Sequence, residues 1–147
     1  MGDNCFRTAS LAEIYHPVYI HCVTWDVEGT DEFAEWFAAL DEPAREKVSA
    51  TITLLEELGP RLGHPHSSQI KGSRHGRMRE LRIQHKGEPY RVLYAFDSRR
   101  TAILLLGGSK GGDDRWYEQH VPRADDLYDE HLETIRREGL IDGIDSD

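Results

Sequence analysis

The stretch RMRELRIQHKGEPYRVLYAFD, residues 77–97, decides how this chain folds. Its first nine residues alternate, placing Leu81 and Ile83 on one face of an extended segment and Glu80, Arg82 and Gln84 on the other. Lys86, Gly87, Glu88 and Pro89 make a turn. In the run that follows, Tyr90, Val92, Tyr94 and Phe96 share one face while Arg91, Leu93 and Ala95 share the opposite one. A second turn, from Asp97 to Arg100, leads into AILLL at 102–106. That run is apolar on both faces, so it belongs centrally in the sheet, bounded by a flexible GGSKGG at 107–112.

Outward from this meander, VYIHCVTW at 18–25 is rich in β-branched and aromatic residues and predicts a first strand, preceded by a flexible arm over 1–17. Thr30 is an N-cap followed by acids, and Phe33, Trp36, Phe37 and Leu40 then recur at helical spacing. Asp41 caps a second helix that tolerates Pro43 in its first turn, buries Ala44, Val48, Ile52 and Leu55, and stops at Gly59 and Pro60. Residues 61–75 lack periodicity and predict an irregular loop. A last helix over about 123–137 gathers Ala124, Leu127, Tyr128, His131, Leu132 and Ile135 on one side, and 139–147 predicts a disordered acidic tail. The expected fold is one α+β domain over 18–138: a small, antiparallel-rich sheet with a helical hairpin on one face, and a C-terminal helix.

With 147 residues, 38% of them hydrophobic, the chain suits one core and holds no apolar run near the ~20 residues of a membrane span. The first twenty residues lack the apolar core of a secretion signal, and two cysteines cannot build a disulfide framework; a cytoplasmic location is expected. A net charge of −9 argues against bulk attraction to nucleic acid, but it hides an asymmetry. Between Arg61 and Lys110 eleven basic residues stand against three acids, a balance of +8, while the other 97 residues carry −17. The basic residues are interleaved with strand formers, so they point to a polyanion site on the sheet rather than a charged tail.

If the aromatic face lies under the hairpin, Arg82 and Arg91 emerge together on the opposite, open face, and Lys110 can approach them from its glycine-flanked loop. Three fixed cations on one surface suit a phosphate, for which arginine offers paired donors at any cellular pH. The competing reading is structural: Arg91 could simply pair with Glu80 or Asp97. By alternation His85 shares the face of Leu81 and Ile83 and reads as a satisfied or solvent-edge histidine. His64 and His66 sit in an irregular loop without the scaffold a metal site needs, and GGSKGG lacks the ending of a nucleotide-binding loop.

The ELR at 80–82 followed by YRVLY at 90–94, with a strand and a lysine-bearing glycine loop beyond, resembles the RelE/HigB-like toxins of toxin–antitoxin modules over about residues 45–115. This resemblance implies a toxin that cleaves mRNA on the ribosome as a metal-independent, cofactor-free endoribonuclease, inhibiting translation and growth. It also implies a cognate antitoxin, commonly a helix-turn-helix protein, bound in a hetero-oligomer. Arg82, Arg91 and Lys110 match the family's basic catalytic positions, and Tyr117 matches a tyrosine near its chain end. Arg91 and Arg82 would meet the charge of the transition state, Lys110 would bind phosphate or move a proton, and Tyr117 would stack on a base. Lys71, Arg74, Arg77 and Arg79 would hold the RNA backbone. Three departures stand out: Gly111, Gly112, Asp113 and Asp114 where a second basic residue is usual, Arg79 in place of an aromatic, and an acidic last helix. The rivals are a ParE-like gyrase poison and a degenerate domain kept for binding.

Overall fold

The computed structural model describes residues 24–139, which form a five-stranded sheet with helices on both faces. The expected arm over 1–17, most of the strand expected over 18–25 and nearly all of the tail lie outside the described residues. Trp25 precedes the first described strand, β1 (Asp26–Gly29). Helices α1 (Asp31–Ala39) and α2 (Glu42–Leu58) form the expected hairpin. Both predicted caps are made: Thr30 Oγ1 accepts from Phe33 N at 3.0 Å, and Asp41 Oδ1 accepts from Ala44 N at 2.9 Å. A three-residue strand, β2 (Ser67–Gln69), interrupts the segment read as loop. It is too short and too polar to show periodicity, and pairing with β3 creates it.

The meander follows as β3 (Arg79–His85), β4 (Glu88–Phe96) and β5 (Thr101–Ser109). The strand order is β1-β5-β4-β3-β2, with β1 parallel to β5 and the other neighbours antiparallel. Gly107 and Gly108, expected in a flexible loop, instead extend β5. Their missing side chains admit tryptophans: a Cβ on Gly107 would overlap the Trp36 ring, and one on Gly108 would sit 3.0 Å from Trp116.

The hairpin buries Phe33, Val48 and Leu55 against Leu81, Ile83, Val92, Tyr94 and Leu104, as the alternation predicts. The opposite face is not open. Helix α3 (Trp116–Arg137) lies across it, packing Trp116, Val121, Ala124, Leu127 and Tyr128 on Leu93, Ala95, Ile103 and Leu105. This corrects the expected bare face. The helix starts seven residues before Arg123 because Pro122 is accommodated inside it, with its ring exposed. Those extra turns carry Trp116 and Tyr117 onto the sheet. Among the described residues no helix is long and apolar enough to cross a membrane.

Candidate functional site

Strand alternation sends Glu80, Arg82 and Arg91 to the face covered by α3, and the β3–β4 register sets Arg82 directly opposite Arg91. Two like charges side by side are unfavourable in a sheet unless a counter-charge lies between them. Glu80 supplies it. One of its oxygens, Oε2, accepts from Arg82 Nη1 at 2.9 Å and from Ser68 Oγ at 2.7 Å. The other, Oε1, accepts from the Tyr117 hydroxyl at 2.6 Å and lies 3.6 Å from Arg91 Nε. Four elements, β2, β3, β4 and α3, thus converge on one carboxylate.

Burial separates the two guanidiniums. The side chains of Glu80 and Arg91 are 4% and 8% exposed, whereas that of Arg82 is 37% exposed. Arg91 Nη1 donates to the Tyr90 carbonyl at 3.0 Å, but its Nε has no hydrogen-bond partner and contributes only the longer ion pair. Burial pushes the Tyr117 hydroxyl above its ordinary pKa, and donation to Glu80 pushes it the same way, so it stays protonated and serves as an anchor. Lys110 follows β5, and its Nζ lies 5.8 Å over the Tyr117 ring. It makes no ion pair with a described carboxylate.

Arg82, Arg91, Lys110 and Tyr117 are therefore brought to one end of the sheet, but they differ in exposure and contacts. The competing reading for Arg91 describes its contacts: it is buried against Glu80, and little of its side chain reaches solvent. Arg82 and Lys110 form the accessible cationic edge. Glu80 was the residue missed as a site member. Its signal was visible, a carboxylate on the same outward face of β3 as Arg82. His85, expected to be satisfied or at the solvent edge, is half-buried, and its Nε2 is buried with no hydrogen-bond partner among the described residues.

The four residues assigned to RNA binding are not brought together at one place. Lys71 is exposed. Arg74 is tied to α3, where Asp126 accepts from Nη2 at 3.2 Å and Asp129 also pairs with it. The backbone amide of Arg74 donates to buried Asp125 at 3.1 Å, so the acidic helix grips this loop from within the molecule. Arg77 and Arg79 stand at the other end of β3. Arg79 Nε donates to Ser67 Oγ at 3.2 Å.

A family model described as phage-derived protein Gp49-like matches residues 35–129. The chain belongs to this family. HigB2 of Mycobacterium tuberculosis, named as a candidate toxin, is 39% identical over 132 residues, covering 84% of this chain and 65% of HigB2. HigB3 of the same organism, named likewise, is 46% identical over 91 residues, covering 61% of this chain and 78% of HigB3. The HigB kinship expected from ELR and YRVLY is thereby shown, while the chain spans just under two thirds of the length of HigB2. The isolated E. coli RelE toxin overlaps 65% of this Gp49-like chain and 94% of its own at 14% identity, with a TM-score of 0.48, too slight a likeness to carry argument.

Proposed function

We propose that this Gp49-like chain is the toxin of a toxin–antitoxin module, a ribosome-dependent endoribonuclease that cuts mRNA without a metal ion and thereby halts translation. The observation that carries the reading is positive charge left over around a rigid centre. Glu80 fixes Arg82 and Tyr117, while Lys110 stands beside them without a carboxylate of its own.

The chemistry asked of such a site is transesterification. The 2′-oxygen of a ribose attacks the adjacent phosphorus, the bond from phosphorus to the 5′-oxygen breaks, and a 2′,3′-cyclic phosphate and a 5′-hydroxyl result. One proton leaves the 2′-hydroxyl and one reaches the 5′-oxygen. Catalysis then rests on in-line positioning and on cations facing the pentacoordinate phosphate. Arg82 and Lys110 meet that charge in this reading. Arg91 acts from beneath as a positioning residue, since its ion pair with Glu80 holds the carboxylate that orients Arg82 and Tyr117.

The natural partners are the translating ribosome with its mRNA and, when silenced, a cognate antitoxin of the helix-turn-helix kind that covers Arg82 and Lys110 in the cytoplasm. Mapping mRNA 5′ ends after expression with and without the antitoxin tests the proposal. New ends within translated codons are expected, and they should vanish in the Arg82→Ala/Lys110→Ala double variant. Intact transcripts in cells whose growth the folded wild-type chain arrests would overturn it.

A further inference from the structure

Where β3 begins, a groove of about 470 Å³ is lined by Trp25, Arg77, Arg79, Phe96, Asp97 and Arg100, among others. Elsewhere in the basic segment, Arg74, Arg82, Arg91 and Arg99 all pair with carboxylates. Around the groove, Arg77, Arg79 and Arg100 make no ion pair with any described residue. The carboxylate in its wall, Asp97, is spent on Arg99 and His131. In a chain of net charge −9, three unneutralised guanidiniums around one concavity form a marked local excess.

The floor is aromatic. Trp25 and Phe96 meet edge to face with ring centroids 5.2 Å apart, and the Arg100 guanidinium lies 3.9 Å from the centroid of the Trp25 ring. That contact holds a planar cation over an indole, and Arg100 is exposed, so its plane is available as a platform on which a nucleobase can stack. Arg77 and the remaining donor of Arg79, whose Nε and Nη2 already donate to Ser67 Oγ at 3.2 Å and the Leu62 carbonyl at 3.3 Å, can meet the phosphates on either side of such a base. Arg79 is three residues from Arg82 along β3, about 10 Å by strand geometry, and by alternation its side chain leaves the opposite face of the sheet.

We infer that the groove is a single-stranded RNA subsite, in which a base stacks on the Arg100–Trp25 pair while Arg77 and Arg79 bind the flanking phosphates without reading sequence. It rests on the nuclease reading only in the choice of RNA as ligand. A carboxylate-rich peptide could satisfy the guanidiniums, but it has no flat group for the stacking platform.

The probe is a fluorescein-labelled uridine oligomer of about 10 nucleotides, 2′-O-methylated so that no nucleophile is present, with binding read by anisotropy across a salt series. Arg77→Gln/Arg100→Gln alters two exposed side chains and should weaken binding at least ~10-fold, lowering the salt slope by about 0.7 for the one lost phosphate contact at Arg77. Arg82→Ala/Lys110→Ala should lose mRNA cleavage yet weaken oligomer binding by less than the groove variant does, which separates this subsite from the catalytic edge. Poly-glutamate of equal length should compete at least ~10-fold more weakly than unlabelled oligomer, because it cannot stack. No binding by the wild type, an unchanged affinity in the groove variant, or equal competition by poly-glutamate would each overturn the inference, the last in favour of an acidic protein partner. Binding without any cleavage on ribosomes would leave the groove standing and remove the nuclease.

Discussion

Two buried carboxylates organise this molecule, and they are built differently. Asp97 sits in the turn after β4 and is satisfied almost locally: Arg99 donates through its backbone amide at 2.9 Å and through its guanidinium at 2.9 Å, and His131 Nε2 comes from α3 to 3.0 Å. Its arginine is spent a second time on Glu28, at 3.1 Å. Burial works to raise the Asp97 carboxyl, but hydrogen bonds from His131 and Arg99 outweigh it and hold the group at about 2. Glu80, by contrast, draws donors from four elements and is met by more positive charge than it neutralises, with Arg82 partly open and Lys110 uncommitted. The contrast distinguishes a site from a support. A cluster whose charges close on themselves stabilises, whereas one that keeps a surplus toward solvent can still act on a ligand.

The hardest way to break this contrast is Glu80→Gln, which strands Arg91 in the core. A loss of about 3–5 kcal/mol in urea unfolding is expected, and Glu80→Leu/Arg91→Met should recover most of it by removing the buried pair together. Next comes the open edge. Arg82→Ala/Lys110→Ala should lower ribosome-dependent cleavage at least ~100-fold with little change in the unfolding midpoint. A large stability loss there would mean that this cluster, too, is only a support.

A pH experiment probes the other side. The Asp97 carboxyl is held below its usual 3.8, so its contribution is present above about pH 4 and lost as pH falls through about 2. Comparing wild type with Asp97→Asn between about pH 5 and pH 2 should show a difference of about 2 kcal/mol at the upper end that closes at the lower one. The smallest effect is expected from Tyr117→Phe, about 1 kcal/mol for the lost donor to Glu80. If cleavage nonetheless falls more than ~100-fold in that variant, Tyr117 touches the substrate rather than anchoring Glu80.

Much of the architecture could be read along the chain. The caps at Thr30 and Asp41 satisfy orphan amides within three residues, and the Leu81/Ile83 alternation follows from strand geometry alone, so both were legible. The extent of α3 was not, because Pro122 is a local stop signal that packing of Trp116 and Tyr117 on the sheet overrides. Likewise Gly107 and Gly108 look flexible in isolation, and only Trp36 and Trp116 explain them as strand.

The sequence by itself determined which residues share a strand face, where the helical hairpin turns, and that positive charge gathers between Arg61 and Lys110, since each depends on neighbours or on composition. Which of those charges remain available was set by the packing of distant elements. Pairing partners such as Glu80 with Tyr117, or Arg74 with Asp126, lie 37 and 52 residues apart, and whether a cation is spent or free depends on which distant carboxylate the packing of α3 brings within hydrogen-bond reach.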